Sequence, residues 1–384
     1  MKPVLKVHNV GPIKDINIDI NRINLFIGPQ SSGKSTLAKL ISFCQWIEKD
    51  IVMHQGTEHI NSDYICSNLV EYHKMASYFT EDSYIEYQSF LISFVYKGEE
   101  NFTLKVTGDL KNAKAGKVTY IPSERNYVSI ENISSLMMSY TYVRDFIFDW
   151  LLIHSKYSKS NPVDILGLVK YYYDTTRGDI IILPDGKEIK LNVASSGIQA
   201  AVPLMVFLQY GADWIFRNKL DLSFEKYELI SSSVARYDSD KMGVRRSVQQ
   251  NISKLHYSSF VIEEPEQNLF PSTQYALVKH IFSMLDNTRD DSLVITTHSP
   301  YIMTAVNNLI LAGNIIAEGN MSEKQVLDTV GLTSYINFGD VNAFALSSGT
   351  AVSIRDEESK LLSANLIDSA SEYINNDFDN LLQL

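Results

Sequence analysis

The sequence predicts an α/β fold in which a mixed sheet is covered by helices. Short apolar runs at residues 258–262 and 293–297 are joined through a helical segment, which is typical of parallel strands buried on both faces. The first 28 residues alternate apolar and polar in short runs. This alternation predicts an antiparallel pair of strands that leads into a buried strand at 23–27.

Helical and strand-like spacing places the remaining elements along the chain. The hairpin predicted at 179–191 has Asp185-Gly186 at its turn, a pair that favours a tight reversal. We expect the tail from about 309 to 384 to be mixed and to end in an amphipathic helix at 365–382. The other predicted elements are helices at 35–54, 62–78, 134–157, 198–216, 224–253 and 272–285, and strands at 84–96, 101–106 and 117–121.

Composition narrows the class of protein. The chain has 384 residues, of which 45% are hydrophobic, enough for one large core or two moderate ones. Its net charge of -11 argues against coating nucleic acid by charge alone, although local lysine and arginine clusters leave nucleic acid as a partner class. No uninterrupted apolar run reaches the roughly 18 residues of a membrane span, and the N-terminus lacks a secretory apolar core. With two scattered cysteines, this predicts a cytoplasmic protein without a membrane partner.

A glycine-rich loop lies between the strand predicted at 23–27 and the helix predicted at 35–54. Residues 28–35 read GPQSSGKS and fit the pattern G-x-x-x-x-G-K-[ST], whose backbone N–H groups wrap an anion. The lysine would reach the β- and γ-phosphates of a nucleotide, and the final hydroxyl would bind Mg²⁺. A chance glycine-rich turn is the alternative, but it does not account for the flanking strand and helix. The predicted nucleotide-binding residues are Gly28, Pro29, Gln30, Ser31, Ser32, Gly33, Lys34, Ser35 and Thr36.

Polar residues end both of the apolar runs. Glu263 and Glu264 end the first, where a parallel sheet presents its ligand site. Glu263 would hold Mg²⁺, and Glu264 would polarise an attacking water. His298 ends the second run and would sense the γ-phosphate or orient that water. A solvated turn for the two acids and a structural function for a lone histidine are the alternatives.

A small polar segment, Ser195-Ser196-Gly197, precedes the helix predicted at 198–216. Small hydroxyl and glycine residues at a helix N-terminus form an anion site, so Ser196 and Gly197 are candidates for a nucleotide contact. The same residues also fit a simple helix cap.

The order of these four motifs resembles that of soluble ABC-type ATPases of the OLD, RecF and SMC class, often labelled AAA. Residues 122–125 (PSER) are similar to that class's Q-loop segment, residues 263–271 to its Walker B and D-loop, and residues 297–300 to its switch histidine. The resemblance implies a P-loop NTPase with an ABC-ATPase-like mixed sheet core, an N-terminal antiparallel β-subdomain and an inserted helical subdomain. It implies one domain over 1–384: a P-loop lobe (1–130), a helical insertion (131–258), the Walker B and switch-histidine strands (259–310) and a C-terminal helical extension (311–384). The insertion holds the hairpin and the Ser195-Ser196-Gly197 segment, which corresponds to the signature of this class.

The resemblance also implies a mechanism with ATP and Mg²⁺. Two copies would dock head to tail around two ATP molecules, so that Ser196 and Gly197 of one copy touch the γ-phosphate held by Lys34 of the other. Glu264 and His298 would be catalytic, while Ser35 and Glu263 would hold the metal. ATP would close the dimer and hydrolysis would open it.

The chain departs from the pattern of this class at four points. Ser123 stands at the Q-loop position in place of glutamine, Glu263 replaces the usual aspartate, and Ile198 stands where glycine is common. The first departure leaves the full set of Mg²⁺ and water ligands open. The fourth is the long separation between Gly197 and Glu263, which argues against a transporter subunit.

We expect a conformational switch that regulates a separate effector, such as a nuclease or toxin, in anti-phage defence of the Septu and PARIS kind. A RecF-like DNA repair or recombination ATPase that binds DNA is the alternative. The short separation between residues 28 and 263 leaves no room for the long coiled arms of SMC proteins. Asp377 and Asp379 have the spacing of a nuclease motif, but they follow two asparagines and not an apolar strand, so an intrinsic nuclease is not expected.

Overall fold

The computed structural model describes residues 2–98, 101–131, 133, 138–218, 224–237, 242–319, 321–363 and 379–381. Their strands form an eleven-stranded sheet, a four-stranded sheet and a two-stranded ribbon. The strands are β1 (Val4–Val10), β2 (Ile13–Asp19), β3 (Ile23–Ile27), β4 (Tyr84–Gln88), β5 (Ile92–Lys97), β6 (Asn101–Val106), β7 (Lys117–Ile121), β8 (Val163–Ile165), β9 (Val169–Asp174), β10 (Gly178–Ile182), β11 (Glu188–Lys190), β12 (Ser258–Glu263), β13 (Ser292–Thr297), β14 (Val341–Ser347), β15 (Thr350–Ser353), β16 (Arg355–Asp356) and β17 (Leu361–Leu362).

The described α-helices range from single turns to the 21 residues of the first long helix. They are α1 (Lys34–His54), α2 (Ser62–Ile65), α3 (Tyr142–Ile153), α4 (Ser196–Gln209), α5 (Ile215–Arg217), α6 (Phe224–Ala235), α7 (Met242–Ser253), α8 (Pro271–Met284), α9 (Pro300–Glu318) and α10 (Glu323–Val330).

The eleven-stranded sheet has the order β6-β5-β4-β1-β2-β15-β14-β3-β13-β12-β7. From β14 to β7 neighbouring strands are parallel, and from β6 to β2 they are antiparallel. β15 joins the two halves, antiparallel to β14 and parallel to β2. The predicted α/β class, with its mixed sheet core and N-terminal antiparallel subdomain, is confirmed.

Helices cover both faces of this sheet. Successive residues of β3 belong to different cores, Leu25 to one and Phe26 to the other, and Ile262 and Val261 of β12 divide in the same way. Because side chains alternate across a strand, α1 lies on the Phe26 face, while α4, α8 and α9 lie on the opposite face. Burial on both faces explains why these strands are apolar throughout.

The carboxyl ends of β3, β13 and β12 meet at one edge of the sheet. Thr297 is in register with Ile27, and Glu263 is in register with Thr296. Since β13 lies between the other two strands, the loop after β3 and the acidic pair after β12 flank His298 from either side. Parallel α/β sheets bind their ligands at this edge.

The segment between β7 and β12 contains more strand than the sequence indicated. The hairpin predicted at 179–191 is confirmed as β10 and β11. Sequence reasoning missed β8 and β9, which extend it into a four-stranded antiparallel sheet. The expected helical insertion at 131–258 is therefore a mixture of helices and a small sheet.

Several predicted elements differ in extent from those observed. The strand predicted at 84–96 is the hairpin β4–β5, and the helix predicted at 224–253 is the pair α6 and α7. The helix predicted at 62–78 consists of α2, a π-helical stretch and a 3-10 turn. The helix predicted at 134–157 is observed as α3, with residues 134–137 outside the described part of the chain.

The C-terminal region differs most from expectation. A helical extension over 311–384 is wrong for the middle of this range, because β14 and β15 enter the central sheet. β14 lies beside β3, with Ala343 opposite Leu25. Its strand conformation depends on this distant partner more than on local propensity, so the local pattern did not reveal it. The helix predicted at 365–382 lies outside the described residues except for 379–381, which are helical.

Among the described residues, α9 is the one helix long and apolar enough to cross a membrane by length and composition alone. The requirement for an uninterrupted apolar run, which was applied to the sequence in the search for membrane spans, therefore overlooks this helix. Ile302, Val306, Leu309 and Ile310 of this helix are buried in the core that α4 and α8 share. Core helices pass the same test, so α9 is weak support for a membrane span.

Candidate active site

Two glycines shape the loop between β3 and α1. Gly33, immediately before α1, has φ of 100°, a left-handed conformation that glycine adopts without strain. A Cβ on Gly28 would lie 2.2 Å from the Leu346 carbonyl oxygen, so the absence of a side chain lets the loop pass β14. Pro29, Gln30 and Ser31 are exposed, whereas Ser32, Gly33, Lys34 and Thr36 are buried.

The Lys34 side chain turns back into this loop. Its ammonium donates to the carbonyl oxygens of Gly28 (2.8 Å) and Pro29 (2.7 Å) and lies 3.4 Å from His298 Nδ1. Burial lowers the pKa of Lys34 to about 8, and the glutamates at the end of β12 partly oppose this shift. A desolvated cation held by neutral carbonyls can exchange them for stronger bonds to phosphate oxygens.

Ser35 and Glu263 meet at the centre of the site. The Ser35 hydroxyl donates to Glu263 Oε2 at 2.7 Å, which joins the first turn of α1 to the end of β12. Glu263 is 3% exposed, and burial raises the pKa of its carboxyl group. Its Oε1 is buried without a hydrogen-bond partner among the described residues. A hydroxyl beside a carboxylate with a spare oxygen suits a hard cation, so these residues fit the predicted Mg²⁺.

Glu264 and His298 form a second pair at this edge. His298 Nε2 lies 3.3 Å from Glu264 Oε1, and the Glu264 side chain is 32% exposed, so water reaches the carboxylate. Glu264 has φ of 43°, a strained conformation for a residue with a side chain. Its backbone N–H donates to the Thr296 carbonyl oxygen at 2.9 Å, which fixes the strained residue against β13.

Glu266 holds the histidine segment in place. Its Oε1 accepts hydrogen bonds from the Thr297 hydroxyl (2.8 Å) and from the His298 backbone N–H (2.7 Å). Sequence reasoning missed this residue as a support for His298, because the contact joins the ends of two different strands and no spacing rule reports it.

Arg125, in the segment that resembles a Q-loop, was also left without a function by the sequence. Its side chain is fully buried and donates to five backbone carbonyl oxygens. Those bonds include Glu263 (2.8 Å), Glu264 (2.7 Å) and Ala200 of α4 (3.1 Å). Burial lowers the pKa of Arg125 to about 10, which leaves it charged at neutral pH. Arg125 therefore joins the acidic segment to α4. Ser123 instead donates to its neighbour Glu124 at 3.2 Å.

Ser196 and Gly197 lie at the start of α4, next to the segment that follows the acidic pair. Ser196 is the first residue of α4 and is exposed. Gly197 lies against the segment that follows the acidic pair, because a Cβ there would be 2.7 Å from the Asn268 carbonyl oxygen. Within the described part of the chain, the bonds of loop 28–36 run to its own residues, to β12 and to the histidine segment, and none runs to Ser196 or Gly197.

One edge of the sheet thus carries an anion loop, a buried lysine, a hydroxyl–carboxylate pair suited to a metal, and an acid–histidine pair. This combination defines the class of P-loop nucleoside triphosphatases. Residues 111–303 match the model of the family described as AAA ATPase domain, and the chain belongs to this family. The protein is accordingly an ATP-hydrolysing enzyme.

Solved structures with similar folds include SMC head domains and a recombination mediator protein. The SMC head domain from Thermotoga maritima is 12% identical, with 93% of this chain and 100% of that chain covered and a TM-score of 0.41. An Smc head domain with an extended coiled coil, bound to the C-terminal domain of ScpA from Pyrococcus furiosus, is 9% identical over 97% and 100%, with a TM-score of 0.38. The recombination mediator protein RecF is 11% identical over 92% and 98%, with a TM-score of 0.32. Likeness at this level does not bear on what the chain does, and no curated protein matches its sequence.

Proposed function

We propose that this ATPase is a conformational switch in which two copies dock head to tail around MgATP and hydrolysis changes the state of a separate partner protein. The observation that carries the proposal is the position of Ser196 and Gly197. They begin a helix whose first residue, Ser196, is exposed, and among the described residues they make no hydrogen bond to their own phosphate loop. Such a terminus favours a phosphate group, and a second copy would supply one.

Within each site, the loop would cradle the phosphates of ATP. Lys34 would exchange the Gly28 and Pro29 carbonyl oxygens for β- and γ-phosphate oxygens, a charge-assisted replacement. Ser35 and Glu263 would hold Mg²⁺, which neutralises charge on the phosphates during phosphoryl transfer.

Glu264 is the proposed general base. Its carboxylate would take the proton of the water that attacks the γ-phosphorus, and His298 Nε2, 3.3 Å away, would keep that carboxylate in place. His298 Nδ1 faces Lys34, so the same ring would respond when a γ-phosphate displaces the lysine from its carbonyl partners.

Arg125 offers a route by which docking reaches the base. It bonds to α4, which begins at Ser196, and to the carbonyl oxygens of Glu263 and Glu264. A shift of α4 on contact with the second copy would therefore move the segment that carries Glu264.

The partner we propose is a separate effector, such as a nuclease or toxin, in anti-phage defence. This part of the proposal rests on the resemblance of the motifs to ATPases of the Septu and PARIS kind. DNA binding in the manner of RecF is the competing outcome. Duplex DNA binding measured at about 0.15 M salt, with and without ATP, separates the two, because charge-driven contacts weaken at that salt concentration.

Complementation between two inactive variants tests the docking. Ser196→Arg blocks the signature and Lys34→Ala blocks the phosphate loop, and each alone should be inactive. A mixed dimer would contain one site with both parts intact, so mixing should restore ATP hydrolysis. A chain that carries both substitutions, mixed with Lys34→Ala, is the matched control because no intact site can form. Dimers that form without recovered hydrolysis would count against a signature acting in trans.

A further inference from the structure

Two adjoining cavities lie beside α1, beyond the turns nearest the phosphate loop. The first, of about 260 Å³, is bounded by α1, β7 and α3. The second, of about 510 Å³, is bounded by α1, α6 and the turn before α5. Trp46, Lys49 and Lys117 line both, so the cavities meet along these three side chains. Small-ligand pockets in proteins span about 300–1,000 Å³, which is the same scale.

Aromatic rings form much of the first cavity. Tyr140 is 48% exposed and Phe148 is 49% exposed, so part of this aromatic wall is open to solvent. Flat ring faces bind planar ligands by stacking. The rings that line the cavity include Phe43, Trp46, Tyr72, Tyr140, Tyr142 and Phe148.

Three residues that line the same cavity carry buried polar atoms without partners. His73 Nδ1, Thr119 Oγ1 and Tyr120 Oη have no hydrogen-bond partner among the described residues. His73 is 3% exposed, and burial lowers its pKa to about 3, so the neutral ring offers one donor and one acceptor. Buried polar groups without partners are costly, and a ligand whose edge carries donors and acceptors would satisfy them.

Cations gather where the cavities meet. Lys49 and Lys117 line both cavities, and Lys226 lines the second. Burial, followed by repulsion from Lys117 and Lys226, lowers the pKa of Lys49 to about 8. An anion placed there would offset that repulsion.

Carboxylates also face the cavities, and three of them are already engaged, including Asp145, which is hydrogen-bonded to Tyr72. Lys117 pairs with Asp149 at 3.3 Å, and Asp50 accepts hydrogen bonds from Tyr64 (2.6 Å) and His59 (2.5 Å). The first cavity therefore offers acceptors as well as donors, which suits a ligand with N–H groups on its edge. Asp145 and Glu225 complete the acidic lining.

We propose that these cavities bind a mononucleotide distinct from the ATP of the phosphate loop, with its base in the aromatic cavity and its phosphate at Lys49 and Lys117. A planar base with mixed donors and acceptors fits the rings and the unpartnered polar atoms. A phosphate fits the gathered lysines. This site is independent of head-to-tail docking, because it uses neither Lys34 nor Ser196.

Calorimetric titration with AMP, GMP, CMP and UMP tests the proposal, with inorganic phosphate and the nucleosides as fragments. Both the wild-type and the Lys34→Ala chains are titrated, so that binding at the phosphate loop is recognised. At least one monophosphate should bind both chains one to one, at least about tenfold tighter than either of its fragments, because base stacking and phosphate pairing add.

Lys49→Met and Phe148→Ala should each weaken that binding by about tenfold or more, and Lys49→Arg should restore much of it. Lys6→Met, which removes a lysine paired with Glu86 elsewhere on the sheet, is the matched control and should bind normally. If Lys49→Met unfolds early, Phe148→Ala at an exposed ring gives the same test. The proposal is overturned if no monophosphate binds with a millimolar or tighter Kd. It is also overturned by binding that Lys34→Ala abolishes but Lys49→Met leaves intact.

Discussion

Arg125 should control both the stability of the chain and its rate of ATP hydrolysis. Its guanidinium bridges the acidic segment and α4, with bonds of 2.7 Å to Glu264, 2.8 Å to Glu263 and 3.1 Å to Ala200. Arg125→Lys keeps the positive charge. The single ammonium of lysine, however, cannot donate to α4 and to the acidic segment at the same time, as the guanidinium does. The substitution therefore removes the bridge while it preserves the charge.

The size of the effect follows from the carbonyl groups that lose their donor. Each buried carbonyl left unpaired costs about 1–3 kcal/mol, so losing two of them should lower the free energy of unfolding by roughly 2–6 kcal/mol. With an entropy of unfolding of about 2.1 cal/mol/K per residue, a chain of this size should show a fall in Tm of roughly 2–8 °C. The segment carrying Glu264 also loses its anchor, so kcat should fall about tenfold or more. KM for ATP should change less, since the described bonds of Arg125 do not involve the phosphate loop.

Thermal unfolding and steady-state ATP hydrolysis measure the two effects. Arg22→Lys is the matched control, because Arg22 also donates to backbone carbonyls, those of Asp291 and Asp286, but precedes β3 at the opposite edge of the sheet. It should lose some stability and keep kcat. An Arg125→Lys chain with wild-type Tm and wild-type kcat would refute the reasoning. Lost stability with unchanged kcat would reduce Arg125 to a structural residue.

Three further predictions concern the phosphate loop and the acids. Lys34→Ala should abolish tight ATP binding because it removes the cation that pairs with the phosphates, and an unchanged affinity in a nucleotide titration would contradict the loop assignment. Glu264→Gln should still bind ATP, hydrolyse it roughly 10²-fold more slowly and accumulate ATP-bound dimers, whereas Glu263→Gln should weaken Mg²⁺-dependent binding. Measuring ATP turnover together with dimer mass distinguishes the Glu264→Gln and Glu263→Gln variants. If Glu264→Gln hydrolyses ATP at the wild-type rate, Glu266 and then His298 become the candidates for the base. ATP affinity should fall as the pH rises above about 8, because burial lowers the pKa of Lys34 to about 8 and the neutral amine cannot pair with phosphate. An affinity that stays flat across that pH range would contradict this assignment.

The parts of the site built from contiguous residues were predictable from the sequence. The loop at 28–35 and the strand ending in Glu263 each combine a motif with its own structural context, so local pattern was enough. The sheet register then places His298 between them, as expected from strands that end at one edge.

The supports of the site were not predictable, because they join distant segments. Glu266 reaches the His298 backbone, and Arg125 reaches Ala200, through contacts that no short spacing encodes. β14 is the clearest case, since its strand state comes from pairing with β3 and the sequence suggested a helical tail. The close approach of Gly28 to the Leu346 carbonyl oxygen could not be predicted either, because it also depends on where β14 lies.

The late position of β14 in the sequence determines when a newly synthesised chain can complete its phosphate loop. Asn342, near its start, donates to the Asp19 carbonyl oxygen from 323 residues further along, and Leu346 forms one wall of the loop at Gly28. At about 5–20 residues per second, tens of seconds of translation separate the two sides of this contact. Throughout that interval β3 would have an open edge and the phosphate loop would lack a wall. Only chains already translated through β14 would therefore hold nucleotide firmly. A polypeptide stopped before that point would not work as a switch.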